Sequence, residues 1–287
     1  MKIAVFGNTD QKEFLDAIEW AFGQMRQRGL SVAVDGDYYE HLHSLIPHAL
    51  DGAEVLPREH CVDADLALSI GGDGTFLATA QRVATLGIPI LGVNAGHLGY
   101  LTAVELNGIG TMLDNVLDGD YVIEHRSMLQ VRRTDGVAIK NAMALNEIAL
   151  TRADSSSMLT LCTEVDGESL TTYRGDGLLV STPTGSTAYN LSCGGPILSP
   201  QARNVVITPV SPHSLTMRPV VLPDDAVIRV TVTTRSGNFR LSIDRFGELC
   251  PAGTTVEITK APHQVKVIQR QGNNFARTLR TKLSWGQ

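Results

Sequence analysis

The sequence predicts an α/β domain with a parallel, Rossmann-like sheet, followed by an all-β, sandwich-like domain. Three observations predict it. Residues 1–122 alternate apolar strand-like runs with helical stripes, the signature of a parallel sheet with right-handed crossovers. The run Leu66 to Ile70 stops at Gly71-Gly72-Asp73-Gly74-Thr75. From Ile123 onward the helical stripes give way to Val-, Ile- and Thr-rich runs broken by turn dipeptides, which reads as antiparallel β structure.

In chain order, Ile3 to Phe6 reads as a buried strand ending at Gly7-Asn8. Phe14, Ile18, Phe22 and Met25 lie on one helical stripe, stopped at Gly29. Leu30 to Val34 makes a second strand and His41 to Leu50 a second helix. Leu66 to Ile70 has the length and near-continuous apolarity of a strand buried on both faces, and Ile88 to Val93 gives another. After the glycine loop, Phe76, Leu77, Ala80, Val83 and Ala84 recur with a helical period. In the second half, turns are expected at Asp135-Gly136, Asp166-Gly167, Asp176-Gly177 and Ser236-Gly237, and Val227 to Thr234 and Val265 to Arg270 alternate with a period of two. Asn274 to Leu283 returns to helical spacing through Phe275, Leu279 and Leu283, a stripe short enough to need support from the first domain. The expected domains are therefore 1–122 with 271–287 returning to it, and 123–270.

The 287 residues suffice for two domains, and 43% hydrophobic with 19% charged residues is a globular composition. A net charge of −6 and the lack of a basic run with interleaved aromatics speak against a nucleic-acid partner. No apolar run has the roughly 20 residues that span a bilayer, so no membrane partner is expected. The four cysteines are scattered, which suits reduced, partly buried thiols in a cytoplasmic protein. His41-x-His43 lacks a third ligand at matching spacing, so surface histidines are expected there.

The Gly71 to Thr75 run joins a strand's carboxyl end to a helix's amino end, where open α/β sheets bind ligands and helix dipoles favour phosphate. A carboxylate there would repel phosphate unless Asp73 has its own task. It can accept a proton from a hydroxyl about to be phosphorylated, or hold a divalent cation; a helix cap is the plainer alternative. No Walker-type Gly-Lys-Ser/Thr is present. Asn94 to Tyr100 forms a second glycine-spaced loop on the same rim, with His97 and Tyr100 either lining a ligand cleft or packing in a turn. In the β half, Asn146-Glu147 interrupts the apolar run Ala142 to Leu150; a buried charge needs a partner or a ligand, unless the strand is an exposed edge. Tyr173 to Pro196 is dense in hydroxyls and small residues around Tyr189, which suits a ribose, a phosphate and a stacked base.

Gly71-Gly72-Asp73-Gly74-Thr75, Asn146-Glu147 and Thr182-Pro183-Thr184-Gly185-Ser186-Thr187-Ala188-Tyr189 together resemble the bacterial NAD kinases in order and spacing, over essentially the whole chain. The glycine-aspartate motif alone is shared with lipid kinases and phosphofructokinases; the Thr/Gly/Ser stretch singles out NAD kinases. The resemblance implies transfer of the γ-phosphoryl group of ATP to the 2′-hydroxyl of NAD's adenosine ribose, with Mg²⁺ or Mn²⁺ as divalent cation. It implies Asp73 as proton acceptor and Gly71, Gly72, Gly74 and Thr75 at the nucleotides. It further implies contacts to NAD from Asn146, Glu147, Ser157, Arg174, Asp176, Thr184, Thr187, Ala188, Tyr189, Asn190, Leu191 and Ser192. Where family members often carry Asp-Gly-Gln, this chain has Ile243-Asp244-Arg245-Phe246, which leaves a glutamine contact unmatched. A homodimer or homotetramer is expected from an exposed β edge. A diacylglycerol- or sphingosine-type lipid kinase and a non-catalytic NAD(P) sensor are the competing readings.

Overall fold

The structure, a computed structural model, describes residues 1–10, 12–58, 61–96, 99–102, 104–154, 157–272 and 275–283. His97, Leu98, Asn274 and Trp285 lie outside the described residues. The chain divides into two compact units, Met1–His125 with Val265–Gln287, and Arg126–Gln264.

The first unit is built on a parallel sheet in the order Ile90–Asn94, Leu66–Gly71, Lys2–Gly7, Ser31–Asp35, Glu54–Leu56. Leu66–Gly71 is buried along its whole length, because strands flank it on both sides and side chains cover both faces. Ile3, Val5, Leu68, Ile70, Leu91 and Val93 share a core with the buried helical stripe Ile18, Ala21, Phe22 and Met25. Phe14 departs from the expected stripe. It precedes the helix Leu15–Gln27, has φ 63°, and is 48% exposed. The second helix runs Gly36–Leu45 and not His41 to Leu50. Pro47, with no N–H and a restricted preceding residue, ends it and opens a separate short turn, Pro47–Leu50. Glu54–Leu56 escaped the pattern because two of its three residues are exposed.

The second unit is antiparallel. One sheet runs Val220–Pro223, Asn204–Val210, Gly177–Ser181, Glu147–Arg152, Asn238–Ile243, Phe246–Pro251. The other carries Glu168–Gly175, Leu159–Val165, Ile228–Thr233 and the first half of Thr255–Gln269. Leu150, Leu178, Val180 and Leu241 of one sheet pack with Leu161, Tyr173, Val230 and Val256 of the other in one core. Asp166-Gly167 is a hairpin turn with positive φ at both residues. Asp176-Gly177 is not: the chain there passes from one sheet to the other.

All four cysteines are free, but Cys61 and Cys162 are exposed rather than partly buried. His41 and His43 stack on Tyr38 and Tyr39. Among the described residues no helix is long and apolar enough to cross a membrane.

Candidate active site

The central strand Leu66–Gly71 delivers the chain to Gly72, and the helix Asp73–Val83 begins at once. It therefore starts three residues before Phe76, where the apolar stripe first shows. The N-cap is Gly72, which has no side chain to cap with, and Asp73 sits in the first turn. Its carboxylate accepts two backbone N–H groups from the neighbouring loop, Tyr100 to Oδ2 at 2.8 Å and Leu101 to Oδ1 at 2.9 Å. Because Leu66–Gly71 and Ile90–Asn94 are adjacent and parallel, the loops at their carboxyl ends meet, and Asp73 is the joint.

Gly99 makes that joint possible: a Cβ on it would lie 2.4 Å from Asp73 Oδ1. The loop is held from behind by Lys282, on the helix Phe275–Lys282, whose Nζ donates to the carbonyls of Gly99 at 2.5 Å and of Thr102. Burial pushes the Lys282 ammonium below the usual lysine range, and the Asp73 charge opposes that. Gly72, Asp73 and Thr75 are half-buried and Gly74 is exposed. The positive end of the helix dipole thus faces outward beside a fixed carboxylate, an arrangement suited to phosphate with an acceptor at its edge.

In the second unit, Glu147–Arg152 is a central strand between Gly177–Ser181 and Asn238–Ile243, which rules out the exposed-edge reading of Asn146-Glu147. The turn that starts it is tied on both sides. Asp244 accepts the N–H groups of Leu145 (2.8 Å), Asn146 (2.8 Å) and Glu147 (3.1 Å). Thr182 Oγ1 donates to Leu145 O at 2.6 Å, and Thr182 N–H to Asn146 O at 2.9 Å. Gly185 passes so close that a Cβ would come 2.1 Å from Asn146 O.

With the backbone saturated, the side chains are what remains. Asn146 Oδ1, Glu147 Oε2 and Thr184 Oγ1 are buried with no hydrogen-bond partner, a state that native proteins tolerate where a ligand completes it. Burial, reinforced by the Asp244 charge, pushes the Glu147 carboxyl up to about 8. Tyr189 is 41% exposed and offers a ring face; its phenol is raised by burial and by neighbouring Cys193, with Asp176 and Glu147 also in range.

The remaining predicted residues divide. Thr187, Ala188 and Leu191 are half-buried and Ser192 is exposed around the short helix Tyr189–Ser192. Asn190 is fully buried and its amide is bonded within the chain: Nδ2 donates to Ser186 O and Pro196 O, and Oδ1 accepts from Thr208. Its side chain ties this segment to Thr208. Asp176 pairs with Arg152 at 3.2 Å. Arg174 is exposed on the strand Glu168–Gly175, and Ser157 donates its N–H to Asp154.

The ATP-NAD kinase N-terminal domain matches residues 3–121, and the ATP-NAD kinase C-terminal domain matches residues 145–270. The chain belongs to the NAD kinase family. An NAD kinase of Bacteroides fragilis (strain ATCC 25285) is 43% identical over 286 residues, spanning 100% of this chain and 98% of that relative. One of Porphyromonas gingivalis (strain W83) is 39% identical over 288 residues, spanning 99% and 98%. Among solved structures, a yeast NADH kinase complexed with NADH superposes with a TM-score of 0.90 at 24% identity, covering 100% of this chain and 88% of that one. An NAD kinase from Archaeoglobus fulgidus in complex with ATP gives 0.72 at 22%, covering 94% of each. These structures support the same two-part fold, α/β then all-β.

Several contacts around these residues cannot be read from the sequence, although the segments that make them can. Tyr100 and Leu101 act through main-chain N–H groups, which carry no side-chain signature. Lys282 lies 209 positions after Asp73, in a closing stretch whose spacing does not show this contact. Asp244 stands where the family often has its Asp-Gly-Gln. The following Phe246 is half-buried beneath the Arg245 guanidinium and lines an open pocket of about 220 Å³ with Ile243 and Lys140.

Proposed function

We propose that this chain is a phosphotransferase that moves the γ-phosphoryl group of ATP onto the 2′-hydroxyl of NAD's adenosine ribose, releasing ADP and NADP. In this reading the hydroxyl oxygen bonds to the γ-phosphorus, the bond from that phosphorus to the β–γ bridging oxygen breaks, and Asp73 takes the hydroxyl proton. Phosphoryl transfer asks the protein chiefly for alignment and charge stabilisation.

The observation that carries the reading is the fixed Asp73 carboxylate, held by Tyr100 and Leu101 at a helix amino terminus. The carboxylate is aligned by a separate loop, through the Tyr100 and Leu101 amides. Asn146, Glu147 and Thr184, with their buried unpartnered oxygens, are the contacts for NAD hydroxyl and amide groups, and the Arg126–Gln264 unit is the NAD-binding domain. Tyr189 supplies the stacking face.

Among the described residues no three His, Cys, Asp or Glu side chains gather. In this reading the Gly72 to Thr75 turn holds the triphosphate, and a Mg²⁺ or Mn²⁺ would be held mainly by phosphate oxygens and water. The cation would supply neutralisation of the triphosphate charge. The test is incubation of the purified protein with NAD, ATP and Mg²⁺. Formation of NADP supports the reading; phosphorylated diacylglycerol or sphingosine in its place, or NAD binding without turnover, would reject it.

A further inference from the structure

We propose that Asp244 is a positioning residue for the substrate-facing pair Asn146 and Glu147, and that holding them, rather than shaping its own hairpin, is its function. The inference rests on the kinase reading, in which Asn146 and Glu147 touch NAD.

Asp244 and Arg245 form the two-residue tip of the hairpin Asn238–Ile243 and Phe246–Pro251, closed by the Ile243 and Phe246 pair. Such a tip asks for a residue at ease with positive φ, and glycine is the favoured solution. The chain instead places aspartate there, at φ 50°. What the aspartate adds is visible in its contacts. Both carboxylate oxygens are used, Oδ2 by Leu145 N–H at 2.8 Å and Oδ1 by Asn146 N–H at 2.8 Å and Glu147 N–H at 3.1 Å. The Asp244 main chain adds a fourth tie, its N–H donating to Glu147 O at 3.0 Å.

Three successive N–H groups converging on one carboxylate fix the backbone torsions that aim the next two side chains. The opposite side of the same turn is fixed by Thr182 and by the close passage of Gly185. Asn146 Oδ1 and Glu147 Oε2 are left buried and unpartnered, so they are aimed without being consumed. A carboxylate is needed because only an acceptor-only group with two oxygens can take all three donors.

The discriminating variant is Asp244→Gly, which relieves the left-handed backbone and removes only the carboxylate. Steady-state kinetics of the full chain with NAD and ATP varied separately, and calorimetric titration with NAD alone, read the effect. The expected result is a KM and Kd for NAD raised about 10- to 100-fold, with the KM for ATP and the kcat at saturating NAD changed less than about threefold. Asp244→Asn, which tolerates the same backbone but keeps one acceptor oxygen, should recover part of the NAD affinity. NAD affinity unchanged in Asp244→Gly, or a loss spread equally over both substrates and kcat, overturns the proposal. Should Asp244→Gly not fold, the same split is read from Asp244→Asn. Wild-type turnover tests the kinase reading separately, because the NAD titration compares variant with wild type whether or not phosphate is transferred.

Discussion

Gly99 lies so close to Asp73 that a methyl group on it would sit 2.4 Å from the carboxylate Oδ1. The acid and the loop that aligns it are thus fitted to each other, and the fit has no room for a side chain. Gly99→Ala must push Asp73 away from the Tyr100 and Leu101 amides or move the loop. A misplacement of roughly 1 Å can lower turnover about a hundredfold. We expect kcat to fall about 10- to 100-fold with NAD affinity little changed, since Asn146 and Glu147 are untouched. Steady-state kinetics beside an NAD titration check this; unaltered kcat would show that the contact has no bearing on the reaction.

Asp73→Asn separates proton acceptance from alignment. The variant keeps the volume but turns an amide NH₂ toward one of two backbone donors, which should lower stability by about 1–3 kcal/mol. Loss of general-base help should lower kcat about 10²–10⁴-fold, while NAD still binds. A variant of near-normal turnover removes Asp73 from the chemistry.

Much of this is legible in the sequence, and the reasons are physical. A strand buried on both faces declares itself through near-continuous apolarity, as Leu66 to Ile70 does with Ser69 its one polar residue, and the glycines after it mark a turn whatever the tertiary context. Asn146-Glu147 stood out because polar groups inside an apolar run need a reason. What the residues did not reveal are pairings that depend on tertiary approach. Asp73 is fixed by amides 27 and 28 positions away, and Asn146-Glu147 by an aspartate about 98 positions on. Asn190, placed at NAD by the family resemblance, donates to Ser186 and Pro196 and accepts from Thr208, contacts that the residue type alone does not show. Pro47 was visible in the sequence, and its known effect on helices would have split His41 to Leu50 correctly.

Lys282 ties the last described helix to the Asp73 loop through the Gly99 and Thr102 carbonyls. Lys282→Met keeps the apolar stem and removes the three donors, so the loop loses its rear support while Asp73 keeps its own amide bonds. A fall in kcat of about tenfold with both KM values within about threefold is expected. Equal turnover in the variant would mean that the amides of Tyr100 and Leu101 hold Asp73 unaided.

The Glu147 carboxyl gives a prediction in pH. Burial, then the Asp244 charge, raises it from 4.5 in the unfolded chain to about 8 in the folded one. Between those values the folded state binds the proton and the unfolded state does not, so stability falls as pH rises. The contribution is fully present below about 4.5 and gone above about 8, and at about 1.4 kcal/mol per unit it is on the order of 5 kcal/mol at most. Glu147→Gln, neutral at every pH and nearly the same shape, should abolish this share of the slope. Its Tm should therefore decline less than that of the wild type between pH 5 and 9, measured without nucleotide so that ligand binding does not contribute. Parallel Tm curves for the two proteins would mean that Glu147 titrates near its ordinary value, and that the side chain is hydrated rather than held dry for a ligand.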